Sequence, residues 1–404
     1  MRLVDGNLYF KKISENNSQY LYLNKNISCD VLIIGGGVSG AVTAYYMAEE
    51  GYDVVIIDKN IIGYGSTSSN VGIIDVQVAS EISKLSRIIG EKKAKKCFNL
   101  MKNSINEISK IVSKMENKDN INFKILNSLY YTDKYMNKNA MIREYNSKIN
   151  LGIGAKFTNE NNLVDLKYGV ELENMSATMN TYEFTKEVIS YLSKKDNVRV
   201  YENTEAEKIK SNEDYVEVIT SNRFKISANK VVITEGAEAI KSFPDMPIEI
   251  YRTYNIVTEK IEELKNYDTN FTARNIDLPF NYFRFTEDNR IIFGGQTSKV
   301  TEKENNEEIS KQLSNTRYRK LFKELQETFY EFKDITVKYC FNGIIAETKD
   351  TLPIIDEIPN MPNVYCNLSY GISGVIFSVI GAKMLKEINR EYYARDMHMF
   401  GIRR

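Results

Sequence analysis

The chain has 404 residues, of which 42% are hydrophobic, and it carries 54 basic and 54 acidic residues. This length allows two or three domains with a large core, and a formal net charge of zero gives no electrostatic reason to expect nucleic acid or an anionic membrane as a partner. The chain has no Trp, and His398 is its single histidine. A Ser-His-Asp triad or a histidine-rich metal site therefore lacks its residues, so we expect no metal and catalysis through a bound cofactor.

Two further features concern location. Residues 1–28 are polar and lack the apolar segment of a signal peptide, and the most apolar later stretch, residues 372–385, is too short to span a bilayer. The four cysteines show no paired spacing typical of a metal site or a disulfide framework; they are Cys29, Cys97, Cys340 and Cys366. We therefore expect a cytoplasmic protein without a membrane span.

The predicted elements begin with a βαβ unit. Residues 30–35 form an apolar run that ends in glycines, which is typical of a buried parallel strand. A helix from Val38 to about Glu50 follows, and residues 54–58 form a second buried strand. A long amphipathic helix comes next, with one apolar stripe formed by Ala94, Phe98, Met101, Ile105, Ile108, Val112 and Met115.

The rest of the chain is rich in strands. We expect a strand at 128–132, a helix at 182–192, a meander formed by 206–209, 215–220 and 223–226, and a buried strand at 230–234. Further strands are expected at 248–257, 282–286 and 290–294, a charged helix near 303–332 and a last helix at 375–389. This order favours an α/β nucleotide-binding domain interleaved with an antiparallel-sheet domain.

A glycine motif lies at the junction of the first strand and the first helix of this unit. Residues 35–40 fit G-x-G-x-x-G, in which Gly35 makes a tight turn, Gly37 lets a pyrophosphate approach the backbone, and Gly40 lets helix and strand pack closely. The helix N-terminus, at Val38 and Ser39, adds N–H donors and the positive end of the helix dipole. Asp58 ends the next strand, at the spacing expected for a carboxylate that binds an adenosine ribose. We predict a dinucleotide site; a strand–helix turn without a ligand is the alternative.

A loop rich in small and hydroxyl-bearing residues follows the second strand of the unit. Residues 63–72 could wrap a second phosphate and a flavin, although an ordinary solvated loop has the same composition. Together with Asp58 and Lys59, this loop resembles that of the D-amino-acid-oxidase/glycine-oxidase superfamily of flavoproteins. Three later stretches, 231–237, 343–353 and 371–374, carry the same resemblance. It covers residues 29–390, and gamma-glutamylputrescine oxidase-like proteins look nearest within it.

The resemblance implies FAD, and not NAD, bound by a Rossmann-like domain of residues 29–118, 176–240 and 336–404. Residues 119–175 and 241–335 would form the substrate domain, and residues 1–28 an N-terminal extension. At the last helix, N–H donors would stabilise the negative charge of reduced flavin, although a packed glycine-rich turn is the alternative. The FAD-binding residues that are implied are Gly35, Gly37, Val38, Ser39, Gly40, Asp58, Lys59, Gly65, Ser66, Thr67, Ser69, Asn70, Gly72, Ala206, Thr234, Glu235, Gly236, Gly343, Gly371, Ile372, Ser373, Gly374, Val375 and Ile376.

The sequence departs from the superfamily pattern in two respects. Some relatives attach the flavin through a cysteine at the position that is Gly343 here, so we expect noncovalent FAD. Amino-acid-oxidising relatives have arginines where this chain has Ile345 and Ile372, which argues against a simple α-amino acid as substrate. Candidates to hold an amine or a remote acid group in their place are Arg252, Tyr254, Tyr282, Arg284 and Tyr370, although a packed sheet face is the alternative for each.

The sequence therefore predicts an enzyme that oxidises the C–N bond of an amine or amino-acid derivative by hydride transfer to flavin N5. Oxygen or an electron carrier would reoxidise the flavin. Two alternatives stay open: oxidation of a hydroxy-acid-like C–O bond, and a flavin-binding electron-transfer subunit without turnover of its own.

Overall fold

The computed structural model describes residues 2–77, 81–332, 334–368, 370–387 and 397–404. Within these residues the chain forms 18 β-strands and 10 α-helices. The strands are β1 (Val4–Gly6), β2 (Ile27–Ile34), β3 (Val54–Ile57), β4 (Ile73–Asp75), β5 (Lys124–Thr132), β6 (Lys156–Thr158), β7 (Tyr168–Thr178), β8 (Val198–Tyr201), β9 (Ala206–Ser211), β10 (Val216–Thr220), β11 (Lys225–Ile233), β12 (Glu249–Thr258), β13 (Phe271–Asn275), β14 (Tyr282–Phe285), β15 (Ile291–Lys299), β16 (Val337–Glu347), β17 (Ile354–Glu357) and β18 (Val364–Leu368). The helices are α1 (Tyr9–Ile13), α2 (Val38–Glu49), α3 (Ile82–Ile89), α4 (Glu91–Ser113), α5 (Lys118–Ile121), α6 (Lys138–Asn150), α7 (Thr181–Ser193), α8 (Ala239–Ser242), α9 (Glu307–Thr328) and α10 (Gly374–Leu385).

One sheet has the order β17-β18-β11-β2-β3-β8, and β9 and β10 extend it beside β11. The pairs β18–β11, β11–β2, β2–β3 and β3–β8 are parallel. Helices α2, α7 and α10 pack together as a layer. Because α2 of this layer packs on β2 and β3, it helps to bury both strands. Parallel pairing brings the carboxyl ends of β2, β3 and β11 to one edge of the sheet, which is where open α/β sheets bind their ligands.

Strand β11 is continuous, whereas the sequence predicted separate strands at 223–226 and 230–234. Its first half pairs with β10 and its second half with β18, while β2 runs along its other side. The alternating burial of residues 225–229 changes to a fully buried run at 231–233. This change of periodicity, at the point where one neighbouring strand replaces another, made one strand look like two.

The second sheet contains ten strands in the order β1-β16-β12-β15-β14-β13-β5-β7-β4, with β6 beside β7. Neighbouring strands are antiparallel except for β13 and β5. Residues of the N-terminal segment belong to this sheet, because β1 pairs with β16. The domain boundaries expected from the sequence stay a prediction, and the predicted last two residues of α10, 388 and 389, lie outside the described residues.

A transverse row of residues crosses one face of this ten-stranded sheet. Asn255 lies opposite Gly294, Gly294 opposite Tyr282, Tyr282 opposite Arg274, and Arg274 opposite Tyr130. Directly opposed residues project to the same side of a sheet. A Cβ at position 294 would lie 2.3 Å from both Asn255 Oδ1 and the Tyr282 ring, so glycine is needed for these side chains to lie together.

The C-terminal residue closes the turn that follows β16. Arg404 donates from Nε to Asp350 Oδ2 at 2.6 Å and from Nη2 to Asp350 Oδ1 at 2.8 Å. Thr348 Oγ1 donates to Asp350 Oδ1 at 2.9 Å. Burial raises the pKa of Asp350, but the hydrogen bonds from Arg404 outweigh it and hold the pKa below its usual value. Thr348 and Asp350 therefore hold Arg404 in place.

Replacing Arg404 by methionine should lower the free energy of unfolding at pH 7 by about 1–3 kcal/mol, because it leaves a largely buried carboxylate without its bidentate partner. The native pKa of Asp350 is depressed, so its contribution is present above the unfolded pKa and is lost as the pH falls through the native pKa. Urea unfolding of both proteins with saturating FAD should thus show a smaller difference at pH 3 than at pH 7.

The exposed neighbour provides the matched control, since Arg403→Met removes the same charge and should change stability by less than about 0.5 kcal/mol. An effect of Arg404→Met that is the same size at both pH values would contradict the ion-pair account.

Candidate active site

A cavity of about 230 Å³ lies between the carboxyl ends of β2, β3 and β11 and the face of the ten-stranded sheet. Most of the residues that were predicted to bind the dinucleotide line it. They are Gly35, Gly37, Val38, Ser39, Asp58, Lys59, Gly65, Ser66, Thr67, Ser69, Asn70, Ala206, Thr234, Glu235, Gly236, Gly343, Gly371, Ile372, Gly374 and Val375.

Four of the predicted residues lie beside the cavity without lining it. A Cβ at Gly40 would be 1.9 Å from the Gly35 carbonyl oxygen, so Gly40 serves the close packing of α2 on β2. Gly72 has a φ of +70°, and a Cβ there would be 1.9 Å from a backbone oxygen of Met179. Ser373, the residue before α10, and Ile376, in the first turn of α10, are both buried. The structure gives these four residues packing roles next to the cavity.

Two helices begin at the cavity. The N-cap residues of α2 and α10 are Gly37 and Ser373, and neither helix has a side-chain cap. In the first turn of α2, the N–H group of Val38 donates to Thr67 Oγ1 at 3.0 Å, which ties the loop of residues 65–70 to the helix. Both positive dipole ends therefore favour negative charge in the same cavity.

Asp58 occupies an acceptor-rich end of the cavity. Its Oδ2 accepts from the Gly36 N–H group and its Oδ1 from the Asn60 N–H group, both at 2.7 Å. Burial raises the pKa of Asp58 to about 6 against the effect of these hydrogen bonds. Lys59 pairs with Glu238 at 2.6 Å next to it. Ionised Asp58 still has acceptor capacity for hydroxyl groups of a ribose.

Two of the five candidates for holding the substrate line the cavity, namely Tyr282 and Tyr370. The hydroxyl of Tyr282 lies 2.8 Å from Thr253 Oγ1 and 3.0 Å from Asn255 Oδ1. Tyr370 donates to the carbonyl oxygen of Gly236 at 3.3 Å. Burial raises the pKa of Tyr282 to about 12 and that of Tyr370 well above its usual value, so both hydroxyls are neutral near pH 7.

The structure does not bring Tyr254 to the cavity. Tyr254 lies on the opposite face of β12, where its ring meets Tyr318 edge-on at 5.8 Å. Its neighbours Thr253 and Asn255 line the cavity instead. Alternation along a strand requires this, because adjacent side chains point to opposite faces.

The arginines that were predicted to hold an acid group are also directed elsewhere. Arg284 is buried, and its Nη1 donates to the carbonyl oxygens of Gly72 and Met179 at 3.0 Å. Arg252 forms a buried ion pair with Glu304 at 2.9 Å. Neither side chain lines the cavity, and both pair with other parts of the protein.

Arg274, on β13, was not predicted from the sequence. Among the residues that the structure describes, Arg274 and Lys59 are the basic side chains that line the cavity. The Arg274 guanidinium lies 4.5 Å from the centre of the Phe280 ring and 5.9 Å from that of Tyr130. The signal in the sequence was the alternation of residues 271–275, in which apolar Phe271 and Ala273 flank the polar positions.

Asp75, at the end of β4, is a second missed residue of the cavity lining. Its Oδ2 accepts from Ser128 Oγ at 2.7 Å and from Thr272 Oγ1 at 3.1 Å, and its Oδ1 accepts from the Gln77 N–H group at 2.9 Å. Burial raises the pKa of Asp75, while these hydrogen bonds and the charge of Arg274 lower it. Asp75 lies outside the motifs at residues 35–40 and 63–72, so no sequence pattern predicted this carboxylate.

The cysteines do not contribute to the cavity. All four are free thiols, and none of them lines it. A Cβ at Gly343 would lie 1.9 Å from Ser69 Oγ, so a cysteine at the position used for covalent attachment in relatives would require the loop to move. Within the described ranges there is no cluster of three or more His, Cys, Asp or Glu side chains suited to a metal ion. No helix in the same ranges has the length and apolar composition needed to cross a bilayer.

Comparison with known proteins agrees with this architecture. Gamma-glutamylputrescine oxidoreductase of Escherichia coli (strain K12) is 20% identical over 95% of this chain and 88% of its own length. L-amino acid deaminase from Proteus vulgaris superimposes with a TM-score of 0.75 at 16% identity over 96% of this chain and 99% of that chain. L-proline dehydrogenase from P. horikoshii superimposes with a TM-score of 0.73 at 18% identity over 94% of this chain and 98% of that chain.

These superpositions confirm the α/β fold predicted from the sequence, a Rossmann-like FAD-binding part with an interleaved antiparallel sheet. Residues 30–388 match the DAO family, described as FAD dependent oxidoreductase. FAD, which the sequence resemblance implied, is the cofactor of this family. With the glycine turn, the two helix N-termini and the cavity all inside the matched region, the chain belongs to the DAO family of FAD-dependent oxidoreductases.

Proposed function

We propose that the protein binds FAD noncovalently in this cavity and oxidises the C–N bond of an amine or amino-acid derivative. The observation that carries the proposal is that a single cavity joins the N-termini of α2 and α10 to the sheet row that contains Tyr282 and Arg274. Bound FAD would supply the hydride acceptor, at flavin N5. The chain itself would bind, orient and electrostatically stabilise the reactants.

The cavity residues fit FAD at both of its ends. Gly37 and Val38, at the N-terminus of α2, line the space that a pyrophosphate needs, and Asp58 offers carboxylate oxygens to the adenosine ribose. A side chain at Gly371 would meet nothing within 4 Å, so the backbone before α10 is open to a flat ring system. The dipole of α10 would then favour the negative charge of the reduced ring.

Arg274 supports a substrate that carries an acid group. The positions where amino-acid oxidases have arginine are Ile345 and Ile372, which both line the cavity. A carboxylate against these side chains alone would be costly to bury. The guanidinium of Arg274 offers a planar, bidentate partner from another wall, and its stacking on Phe280 fixes its orientation. We therefore assign the acid-binding role to Arg274, in place of Arg284.

The named relatives agree with an amino compound as substrate. Three of the matched proteins are a gamma-glutamylputrescine oxidoreductase, an L-amino acid deaminase and an L-proline dehydrogenase. Each of these names contains an amino compound. For this chain, the three names support oxidation of an amine.

FAD should copurify with the protein and enter the supernatant when the protein is denatured by heat or acid. Gly37→Leu should give colourless protein, because its Cβ would lie 3.1 Å from Thr67 Oγ1 and the rest of the side chain would enter the cavity. Gly154→Leu is the matched control, since a side chain there meets nothing within 4 Å. The flavin-to-protein absorbance ratio measures both. Flavin that stays with the precipitate would contradict noncovalent binding.

Affinity for FAD should fall as the pH drops below about 6, where Asp58 takes up a proton and loses acceptor capacity. Below that pH the dissociation constant should rise by up to about tenfold per pH unit, because FAD would bind the ionised form. Burial also raises the pKa of Glu235, another lining residue, to about 7. A variant is therefore needed to distinguish the titration of Asp58 from that of Glu235.

Asp58→Asn isolates the contribution of this carboxylate. Its FAD affinity should be weaker at pH 7 and should lose the dependence near pH 6, as followed by flavin fluorescence. Asp53→Asn, whose side chain pairs with Arg199 outside the cavity, should behave as the wild type. An unchanged pH profile in Asp58→Asn would assign the titration to Glu235.

Anaerobic flavin bleaching tests the proposed reaction. Amines that carry an acid group, such as alanine and γ-aminobutyrate, should reduce the flavin faster than ethylamine and butylamine, which lack it. Arg274→Met should lower the second-order reduction rate for the acid-bearing amines by about 10²-fold or more, because the acid group loses its buried partner. Arg319→Met, an exposed position on α9, removes the same charge as a control.

Lactate and glycerol 3-phosphate belong in the same panel. Reduction by these compounds and by no amine would favour C–O oxidation. Wild-type flavin that no compound reduces would favour an electron-transfer subunit, and either result would contradict the proposal.

A further inference from the structure

We infer that Asp75 accepts the proton that a substrate ammonium group must lose before its C–N bond is oxidised. The inference rests on the proposed amine oxidation and adds a chemical role for a cavity residue. Most amines are protonated at neutral pH, and an ammonium nitrogen has no lone pair. The lone pair is needed to stabilise the carbon from which a hydride departs, so the proton must leave before the amine binds or pass to an acceptor near the bound substrate.

The position of Asp75 follows from strand pairing. Ile73 and Asp75 face the cavity, while Ile74 between them is buried in the core. Thr272, which donates to Asp75, lies two residues before Arg274 on β13 and hence on the same face of the strand. The carboxylate of Asp75 and the guanidinium of Arg274 thus share one end of the cavity.

This pairing of groups suits an amino compound with an acid group. Arg274 can take the acid group, and Asp75 can take the ammonium group. The other carboxylates that line the cavity are Asp58, Glu205, Glu235 and Glu238. All four lie on or beside the loops that follow β3, β8 and β11, around Lys59. Among the described residues, Asp75 is therefore the carboxylate that lines the cavity from the ten-stranded sheet.

The hydrogen bonds of Asp75 leave capacity for a substrate. An ionised carboxylate has about four acceptor positions, and three are used by Ser128, Thr272 and the Gln77 N–H group. The three donors fix the orientation of the carboxylate. The remaining position can accept from an ammonium N–H group, which is the contact through which a proton would move.

The hydrogen-bonding neighbours of Asp75 are neutral, so they add no negative charge beside it. The side chains that hydrogen-bond around it on β5, β7 and β13 and just before α10 are the neutral hydroxyls of Ser128, Ser176, Thr272 and Ser373. Arg274 is the charged group that faces it, and Arg274 also acts on Glu347, on β16.

The remaining titratable neighbours do not compete for the proton. Burial raises the pKa values of Tyr130, on β5, and of Tyr282, on β14, so both stay neutral near pH 7. Burial likewise raises the pKa of Asp75, which brings proton uptake by this group closer to neutral pH than for an exposed aspartate.

The step is balanced without any further reactant. A substrate R2CH–NH3+ and Asp75 carboxylate give R2CH–NH2 and the Asp75 carboxylic acid; one N–H bond breaks, its electron pair stays on nitrogen, and one O–H bond forms. Because the carboxyl group of Asp75 is desolvated by burial, the neutral pair avoids the burial of two charges. The substrate acid group keeps Arg274 as its partner, so no charge is left unpaired.

The first arm of the test is the pH dependence of flavin reduction by the acid-bearing amines named above. Wild-type enzyme should reach a plateau in the second-order reduction rate near neutral pH. Asp75→Asn must draw neutral amine from solution, so its rate should keep rising about tenfold per pH unit toward the pKa of the amine. Asp277→Asn, a buried aspartate that accepts from Thr132 outside the cavity, should keep the wild-type profile.

The second arm measures binding without reaction. The probes are 2-aminoisobutyrate, which has no hydrogen on the carbon next to nitrogen, and isobutyrate, which lacks the amino group; both are followed by the shift in flavin absorbance. Wild-type enzyme should bind 2-aminoisobutyrate at least tenfold more tightly than isobutyrate. Asp75→Asn should bind both equally, with the isobutyrate affinity unchanged, because Arg274 is intact.

The outcomes separate the inference from the proposed function. A plateau and a tenfold preference that persist in Asp75→Asn would overturn the role of Asp75 and leave amine oxidation in place. Wild-type flavin that no amine reduces would overturn both. If Asp75→Asn does not retain FAD, Asp75→Glu replaces it: a retained plateau supports the role, and a steep profile in spite of the carboxylate overturns it.

Discussion

The close approach of α2 to β2 is the constraint on which the site depends. The Gly35 carbonyl oxygen occupies the space where any side chain at Gly40 would begin. Thr234 Oγ1, at the end of β11, donates to the carbonyl oxygens of Ile34 and Gly35 at 2.9 and 2.8 Å. The turn is thus held from the helix side and from the neighbouring strand, and the first N–H groups of α2 are fixed at the cavity. A phosphate site on this turn would therefore need little reorganisation on binding.

The opposite wall is organised by strand register. Because Asn255, Gly294, Tyr282 and Arg274 are direct neighbours across four strands, their separations are set by the backbone rather than by flexible side chains. A site on such elements is more rigid than one on loops. The charge of Arg274 also acts on this wall, where it opposes the effect of burial on the pKa values of Asp75 and Glu347.

The sequence was informative where function follows from adjacent residues. The βαβ unit, the glycine turn and Asp58 could be predicted because a strand, a turn and a helix N-terminus follow one another directly. The substrate wall could not be predicted in the same way. Residues 252–258 of β12 are buried on both faces, so no alternation distinguished Thr253 and Asn255 from Tyr254.

The arginines illustrate the same limit. Arg274 and Arg284 lie on neighbouring strands in similar aromatic surroundings, yet one lines the cavity and the other binds backbone carbonyl groups. The difference arises from position along the strands, because Arg284 lies two residues beyond Tyr282 and meets Gly72 and Met179, which come from distant parts of the chain that local pattern does not encode. The signal that existed was the polar residue pair Thr272 and Arg274 on one face of a short strand.

A crystal structure of the FAD-bound protein with 2-aminoisobutyrate would test the central claim most directly. The account predicts that the carboxylate of this unreactive amino acid pairs with the Arg274 guanidinium, and that its amino nitrogen lies within hydrogen-bond distance of Asp75. FAD in the cavity with the carboxylate bound away from Arg274 would contradict the proposed substrate site. FAD bound outside the cavity would contradict the assignment of the site as a whole.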